Sequence, residues 1–371
     1  MLPMQTFKKL IDKSSAFSFA AIIAISSNLM LSGSASAEVV RDDYPQLRGL
    51  HDLPQLPVSV WRDSQSKPRA AAIAVHGLAM HGRVYDRLAS ELVAQGVQVY
   101  AEDLRGYGRW QCQGELDAAE ARAAARTVNY KDSLEDLKVL IKAVRAEHPG
   151  LPLFLIGESM GAGFSMRAAE AMPDEVDGLI LASPALKRRN YVGPELVKDM
   201  AALVANPTRE LDLVPYIKKL ASENDKIVEE AINDPYVRKS LNCKDLLQTA
   251  HCISTNMEHA KGVSEHVPVL IIQGDQDKLL KHAAVVALVN KLKSKDQTVR
   301  WMKGKGHLLI ETSYIDPSTM STIKTWLASH VNDSAQVATG NPLNLNLNQN
   351  LGGALRGNGD NENQVSATRL D

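Results

Sequence analysis

The residues of this chain that could most clearly do chemistry are 157–161, Gly-Glu-Ser-Met-Gly. An apolar run at 153–156 precedes them and indicates a buried strand, and the Ala- and Met-rich stretch 162–172 that follows indicates a helix. A sharp turn between a strand and a helix is a nucleophile elbow, in which a strained backbone exposes the serine hydroxyl. Glycines flank the serine because side chains there would collide with the neighbouring strand and helix. The pattern favours Ser159 as a nucleophile over a serine in an ordinary loop.

A serine hydroxyl becomes a good nucleophile only when a base accepts its proton and a carboxylate orients that base. In a strand–elbow–helix arrangement the chain order is serine, acid, histidine. Asp277 lies just beyond a predicted strand at 267–273, and His307 follows a predicted strand at 298–302 and a glycine-containing loop. Both residues are therefore expected at the sheet edge where open α/β folds bind ligands.

Each of these assignments has a simpler alternative. Asp277 could cap the helix predicted to begin near Lys281, and His307, one of ten histidines, could be an exposed loop residue. The shared order, with each residue after its own apolar strand, favours a triad. Asp275 is a second candidate for the orienting carboxylate. Because it is nearer the strand end, we expect it to bond backbone N–H groups of its own loop instead.

A strand predicted at 70–75 should supply the rest of the site, since it ends at His76 and Gly77. The negative oxygen of a tetrahedral intermediate needs preorganised N–H donors, each worth about 3–4 kcal/mol. We expect these donors to be the backbone N–H groups of Leu78, in the loop after that strand, and of Met160, in the elbow. His76 is predicted to hold this loop by hydrogen bonds rather than to carry protons.

Four stretches carry a family resemblance: 76–83 (HGLAMHGR), 103–109 (DLRGYGR), 148–161 (HPGLPLFLIGESMG) and 273–277 (QGDQD). On these motifs the chain resembles the monoacylglycerol lipase and lysophospholipase branch of the α/β-hydrolase superfamily, of the serine aminopeptidase S33 type. The resemblance spans most of residues 60–332. It implies an α/β-hydrolase fold and a serine hydrolase that cleaves carboxylic esters of lipid-like alcohols. By motif position it implies Ser159, Asp277 and His307 as catalytic residues, and Leu78 and Met160 as the oxyanion hole.

The chain departs from the family pattern near the site. The second residue of the elbow is usually histidine in this branch and is Glu158 here. A Gly-Glu pair is usual where this chain has Ala79 and Met80, and a serine is usual where it has Trp110. These departures bear on the preferred substrate and leave the implied reaction type unchanged.

The first 37 residues have the pattern of a signal peptide. Basic residues near the start precede an apolar stretch at 16–31 and the small residues 34–37, Ser-Ala-Ser-Ala. We predict cleavage after Ala37 and an exported protein, periplasmic or secreted. The alternative is an uncleaved anchor, but the apolar stretch is shorter than the roughly 20 residues that span a bilayer. No cysteine lies directly after the apolar stretch, which argues against a bacterial lipoprotein.

Residues 38–332 are predicted to form the hydrolase domain. After early strands that include 56–61, strand and helix patterns alternate: strands at 70–75, 97–102, 152–157 and 178–183, and helices at 84–95, 130–147 and 160–172. Such alternation predicts an α/β fold with a mostly parallel central sheet and helices on both faces.

The alternation stops at Pro184, and no strand pattern is evident over about 185–265, where helical runs are broken by prolines. We predict a helical cap here, with an ordinary helical elaboration as the alternative. Its apolar residues could face a pocket or form the cap's own core: Leu196, Met200, Leu203, Leu211, Leu213, Val214 and Ile217. After the sheet resumes, a last helix is predicted near 317–331. Residues 333–371 are predicted to be a disordered Asn- and Gly-rich tail.

Composition excludes several functions. Lys plus Arg, 42, nearly equals Asp plus Glu, 43, and only 5% of residues are aromatic, so we expect no nucleic-acid partner. The three cysteines are Cys112, Cys243 and Cys252. One helix carrying the last two would hold their Cα atoms about 13 Å apart, beyond the roughly 7 Å limit of a disulfide.

No Cys/His spacing resembles a zinc site, so neither a metal nor a cofactor is expected. The expected partner is a small-molecule lipid ester. Transient contact with a membrane surface is compatible with such a substrate, and the sequence does not define an oligomeric state.

Two enzymatic rivals and one of another class remain. An aminopeptidase needs a charged anchor for an amino terminus, which Glu223 or Glu229 could supply. A thioesterase acting on nucleotide-linked acyl groups needs a basic groove. A ligand-binding protein of the same fold would not need an intact triad.

Overall fold

The apolar runs of the sequence form the strands of one main sheet in a computed structural model, which describes residues 37–43, 45, 47, 56–111, 127–186, 194–206 and 209–339. In chain order the strands are β1 Val39–Asp43, β2 Val58–Asp63, β3 Ala70–Val75, β4 Val97–Glu102, β5 Leu153–Glu158, β6 Gly178–Ala182, β7 Glu210–Asp212, β8 Ser240–Asn242, β9 Val269–Gly274 and β10 Gln297–Met302. Eight of them form the sheet, in the order β1-β2-β4-β3-β5-β6-β9-β10.

The sheet is mostly parallel, as predicted. Six neighbouring strands pair in parallel, in the order β4-β3-β5-β6-β9-β10, and β1 and β2 add an antiparallel edge. Every residue of β3, β5 and β9 is buried, whichever way its side chain points. Since successive side chains point to opposite faces, these central strands are covered on both sides. The predicted α/β architecture is confirmed.

Helices follow the strands at the predicted places. They are α1 Asp86–Val93, α2 Tyr130–Glu147, α3 Met160–Ala171, α4 Pro194–Ala205, α5 Val214–Leu220, α6 Asp225–Asn233, α7 Cys243–His259, α8 His282–Lys291 and α9 Pro317–Thr339. A short 3₁₀ turn, Gly82–Tyr85, precedes α1. The apolar stripe of α2 is buried at Leu137, Ile141 and Val144, the spacing of a helix lying on a sheet.

The insertion after β6 is not wholly helical, so the expectation of no strand over 185–265 is wrong. It contains α4 to α7 together with β7 and β8, which pair antiparallel in a small separate sheet. Each of these two strands has three residues. Such a short strand has too few positions to show a period-two pattern, which is why the sequence did not reveal it.

The ends of the chain differ in what can be said of them. The predicted signal peptide lies outside the described residues apart from Ala37, and the described residues from Glu38 onward belong to one compact unit. At the other end, α9 continues to Thr339, so residues 333–339 are helical rather than part of a tail. Residues 340–371 lie outside the described part of the chain. No helix in the described ranges is both long and apolar enough to cross a membrane.

Two of the three cysteines can be placed. Cys243 and Cys252 both lie on α7, as expected, and both are free thiols. Cys112 lies outside the described residues.

Candidate active site

Ser159 lies at the turn between β5 and α3 with φ 54° and ψ −113°, a strained conformation for any residue other than glycine. The flanking glycines leave the space that the turn needs. A Cβ at Gly157 would lie 2.4 Å from the carbonyl carbon of Gly161, and a Cβ at Gly161 would lie 1.8 Å from the carbonyl oxygen of Val75. The elbow therefore has the geometry that the sequence pattern predicted.

The structure brings Ser159, His307 and Asp277 into one hydrogen-bonded row. The Ser159 hydroxyl lies 2.9 Å from Nε2 of His307, and Nδ1 of His307 lies 2.8 Å from Oδ2 of Asp277. All three side chains are buried. Because the carboxylate accepts a hydrogen bond from Nδ1–H, the proton of the neutral ring stays on Nδ1, and Nε2 is left to accept the serine proton.

Asp277 is held as an ionised carboxylate. Its Oδ2 also accepts from Nε2 of Gln273 at 2.8 Å, and its Oδ1 accepts from the N–H groups of Leu279 and Leu280 at 2.7 and 3.0 Å. Burial alone raises the pKa of Asp277, but the charge of His307 and these hydrogen bonds outweigh it and lower the pKa to about 2. The Asp277 side chain therefore bonds the backbone of its own loop and His307 at the same time.

Asp275 does not bond its own loop, and that expectation is wrong. Its Oδ1 accepts from the N–H of Gly304, at 2.7 Å, in the loop that leads to His307. The reason is the register of the sheet: β9 and β10 pair in parallel, so the loops after them lie side by side. The N–H of Gln276 also donates to the carbonyl of Lys305, at 2.9 Å, across the same gap.

The backbone around His307 is fixed from two sides. The Ser183 hydroxyl donates to the His307 carbonyl at 2.7 Å, from the end of β6. The insertion supplies the other contacts. The N–H of Leu308 donates to the carbonyl of Ala221 at 2.9 Å, and the N–H of Gly306 donates to Glu223 at 2.6 Å. The insertion is therefore part of the support of the histidine loop.

The two predicted oxyanion donors lie beside the serine. Met160 is the first residue of α3, so its N–H has no partner within the helix. Leu78 follows Gly77, whose Cβ position would be 3.3 Å from the Cβ of Ser159. The carbonyl of Ala79 accepts from the N–H of Arg238 in the insertion, at 2.7 Å, which holds this loop in place.

His76 has the structural position expected of it. Its Nδ1 lies 2.8 Å from the Gly77 carbonyl, and its Nε2 accepts from the N–H of Leu104 at 2.9 Å. Complete burial is the main cause that lowers the pKa of His76 to about 4, so the ring is neutral near pH 7.

Backbone strain is concentrated around this site. In the described part of the chain, the non-glycine residues with positive φ are Ala79 at 72°, Ser159 at 54° and Ser183 at 41°. They lie in the loop 76–80, which holds the expected oxyanion donor Leu78 and is called the oxyanion loop below, at the elbow serine, and at the residue that donates to the His307 carbonyl. Such conformations persist only where surrounding contacts enforce them, and they cluster at functional sites.

A cavity of about 360 Å³ opens onto Ser159 and His307. Most of its lining is apolar and comes from the insertion, including Leu203, Leu211, Leu213, Ile217, Leu220 and Leu246. Val214 is not among the lining residues. The side chains of Leu196 and Met200 lie outside the description. The volume is within the ordinary range of small-molecule pockets.

Two buried carboxyl groups next to the site carried no clear sequence signal. Glu158 stood out only as a departure from the family elbow, and Glu311 was not singled out at all. Both are buried, and both lie beside the elbow or the oxyanion loop. A glutamate four residues after the histidine looks like any loop residue until the loop is folded back onto the sheet. Within the described ranges, no group of three or more His, Cys, Asp or Glu side chains could hold a metal ion.

Residues 66–312 match the family described as serine aminopeptidase, S33. The chain is 25% identical over 279 residues to a monoacylglycerol lipase of Mycolicibacterium smegmatis, which covers 73% of this chain and 92% of that lipase. It is 28% identical over 278 residues to the monoglyceride lipase of Homo sapiens, covering 74% of this chain and 86% of that one.

Solved structures agree on the fold. The monoacylglycerol lipase of Paleococcus ferrophilus superposes with a TM-score of 0.59 at 25% identity, over 75% of this chain and all of that chain. A monoglyceride lipase from Saccharomyces cerevisiae, solved with a substrate analog, gives a TM-score of 0.61 at 16% identity, over 81% and 96% of the two chains. The predicted α/β-hydrolase fold is confirmed.

Proposed function

Because this chain belongs to the serine aminopeptidase S33 family, we propose that it is a carboxylic ester hydrolase that cleaves lipid-like esters through an acyl-enzyme on Ser159. The observation that carries this proposal is the hydrogen-bonded row from Ser159 through His307 to Asp277, of which Ser159 and His307 line an apolar cavity. The relatives named monoacylglycerol lipase and monoglyceride lipase support the same reaction.

The geometry accounts for each proton in the reaction. The Ser159 oxygen attacks the acyl carbonyl carbon while its proton passes to Nε2 of His307, 2.9 Å away. The resulting imidazolium gives this proton to the alcohol oxygen as the ester C–O bond breaks. Water then attacks the acyl carbonyl carbon while His307 takes its proton, and His307 returns this proton to the Ser159 oxygen as the acyl–serine bond breaks and the free acid leaves. Asp277, held ionised, stabilises the imidazolium in both steps.

The backbone N–H groups of Leu78 and Met160 act on the oxygen that becomes negative. Both donors are fixed before the substrate arrives, one by the helix that begins at Met160 and the other by the tethered loop that contains Leu78. Preorganised donors need no rearrangement at the moment of reaction, which is why each contributes about 3–4 kcal/mol.

The substrate class we propose is a monoacylglycerol or a lysophospholipid, with its acyl chain in the apolar cavity. The two residues that could have bound the amino terminus of a peptide substrate have other surroundings. Glu223 accepts from the Gly306 N–H, and Glu229 is exposed on α6. Among the described residues that line the cavity, the acidic one is Glu311, which is bonded to the Gly77 N–H. A lipid ester therefore fits this lining better than an amino-terminal peptide.

The test is a comparison of substrates. Hydrolysis of a generic p-nitrophenyl ester separates an enzyme from a binding protein of the same fold. Rates across monoacylglycerols, lysophospholipids, aminoacyl amides and acyl thioesters then define the class. Equal or faster turnover of the amides would overturn the lipid-ester proposal while leaving the serine mechanism intact.

The insertion is proposed to set acyl-chain preference. Leu213 is buried and lines the cavity. Replacing it by tryptophan fills part of the cavity, so Leu213→Trp should lower kcat/KM for long acyl chains by about 10-fold or more relative to short ones. This is the scale of a few methylene groups at about 0.8 kcal/mol each. The measurement is kcat/KM across a series of acyl lengths.

Leu241 provides the control for this prediction. It is fully buried in β8 but does not line the cavity. Leu213→Ala and Leu241→Ala remove the same atoms, and each should cost about 2–5 kcal/mol of stability. Only Leu213→Ala should change the chain-length profile. If Leu213→Trp scales all lengths equally, the insertion does not bind the acyl chain.

Contact with a lipid surface is a further part of the proposal. Leu247 lines the cavity and is 64% exposed, so apolar surface continues from the cavity to solvent on α7. Co-flotation of the protein with lipid vesicles tests this contact, and loss of flotation in Leu247→Ser would support it.

We also propose that the protein is exported and that its mature form begins at Glu38. The basic start, the short apolar stretch and the small residues at 34–37 support this. The mass of the purified exported protein should match a chain starting at Glu38. Recovery of a chain that starts at Met1 in the membrane fraction would contradict cleavage.

A further inference from the structure

Glu158 is the last residue of β5, directly before Ser159, and it is fully buried. Its two carboxylate oxygens accept three backbone N–H groups from the segment just after His307. The distances are 2.6 Å to Leu309, 3.1 Å to Ile310 and 2.8 Å to Glu311. One side chain therefore ties the elbow to the loop that carries the base.

Glu311 continues this connection to the oxyanion loop. Its Oε1 accepts from the N–H of Gly77 at 2.5 Å and lies 3.0 Å from the Tyr85 hydroxyl. Its Oε2 is buried and has no hydrogen-bond partner among the described residues. Hydrogen bonds thus connect Glu158 to the segment after His307, and through Glu311 to the loop that contains Gly77.

Only one of these two carboxyl groups is suited to a negative charge. Three N–H donors shared between both oxygens match an ionised Glu158, since charge-assisted bonds of this kind are the strong ones. Burial raises the pKa of both groups, and it raises the pKa of Glu311 well above the usual range, where the charge of Glu158 adds to the effect. At Glu158 the charge of His307 and the three N–H groups oppose burial. Two neighbouring buried carboxyls cannot both ionise.

We propose that Glu158 is a positioning residue whose buried negative charge fixes the loop of His307 and stabilises the imidazolium formed during ester hydrolysis. This inference rests on the proposed function. It adds to Asp277 a second carboxylate, which comes from the elbow rather than from the loop after β9. It also gives a role to the glutamate that replaces the family's usual histidine. Glu311 stays neutral and holds the oxyanion loop.

The test is the pH profile of kcat/KM for a p-nitrophenyl ester, with active sites counted by a fluorophosphonate probe. Glu158→Gln removes the charge and points an N–H₂ group at backbone donors. We expect kcat to fall about 10–100-fold. We also expect the acidic limb of the profile to move to lower pH by about half a unit or more, because a lost negative charge makes the histidine less basic. A purely structural role would lower activity without moving the limb.

Three further variants make the result decisive. Glu102 is also fully buried at the end of its strand, β4, so Glu102→Gln is the matched control and should leave the limb where it is. Glu158→Asp keeps the charge and should retain the wild-type limb at lower kcat. Glu311→Gln should leave the limb in place if the charge is on Glu158.

Each outcome decides between the two carboxyls. A limb that moves in Glu311→Gln but not in Glu158→Gln would overturn the proposal. If Glu158→Gln does not fold, the other two variants decide. A shift of the acidic limb in Glu158→Asp or in Glu311→Gln overturns the proposal, and an unshifted limb in both supports it. A wild-type protein without esterase activity would instead contradict the proposed function itself.

Discussion

Replacing Ser159 by alanine is expected to lower kcat for ester hydrolysis about 10⁵- to 10⁶-fold, the scale measured when a triad serine is removed. The hydroxyl is the attacking group, and alanine provides no other nucleophile at the elbow. The fold should be retained, because the change removes one hydrogen bond, to His307, and leaves the glycines of the turn in place. The measurement is kcat together with the melting temperature, which should change by no more than about 2–4 °C.

Ser165 is the matched control for this prediction. It is a buried serine on α3, the helix that follows the elbow, and its hydroxyl donates to the Gly161 carbonyl at 3.0 Å. Ser165→Ala removes an equally buried hydroxyl that does not face the histidine, so turnover should stay within a few-fold of wild type. Turnover by a folded Ser159→Ala protein above the small residual that an oxyanion hole supports would contradict the nucleophile assignment.

Replacing Asp277 by asparagine is expected to lower kcat about 10⁴-fold, the effect known for the orienting aspartate of a triad. The carboxylate accepts a hydrogen bond from Nδ1–H, with 2.8 Å between Nδ1 and Oδ2, whereas an asparagine amide can present a donor there and favour the wrong tautomer. The same change removes the charge that offsets the imidazolium. Substrate binding should be nearly unaffected, so the loss should be found in kcat rather than in KM.

Asp275→Asn is the comparison that makes this result specific. Asp275 lies two residues away and bonds the Gly304 N–H of the histidine loop, not His307 itself. Its replacement should cost roughly 1 kcal/mol of stability, the typical value of one hydrogen bond, and should change kcat by less than about 10-fold. A slow Asp275→Asn enzyme beside a merely less stable Asp277→Asn protein would reverse the assignment.

The sheet and the elbow were predictable because their signals are local. Runs such as 153–156 and 269–272 are continuous apolar stretches between turn residues, and a strand buried on both faces has no other pattern. The elbow likewise depends on two glycines within five residues. Chain order then placed Asp277 and His307 at the same edge, since parallel strands end on the same side of the sheet.

Contacts between segments far apart in sequence could not be predicted in this way. The carboxylate of Asp275 bonds a different loop from the expected one because β9 and β10 lie side by side. The short strands β7 and β8 stabilise each other across about 30 residues of chain, and neither has a recognisable pattern alone. The α9 helix runs past its predicted end into polar residues, where helical pattern gives no boundary.

The sequence by itself determined the main sheet, the elbow at Ser159 and the order in which Asp277 and His307 follow it, because periodicity and turn chemistry act over a few residues. Tertiary structure alone decided which insertion side chains line the cavity and that Ala221, Glu223 and Arg238 brace the site. It also decided which of two neighbouring buried carboxyls accepts three backbone N–H groups. Burial and hydrogen bonding set the protonation of Glu158 and Glu311, and both arise only when segments 151 to 234 residues apart meet.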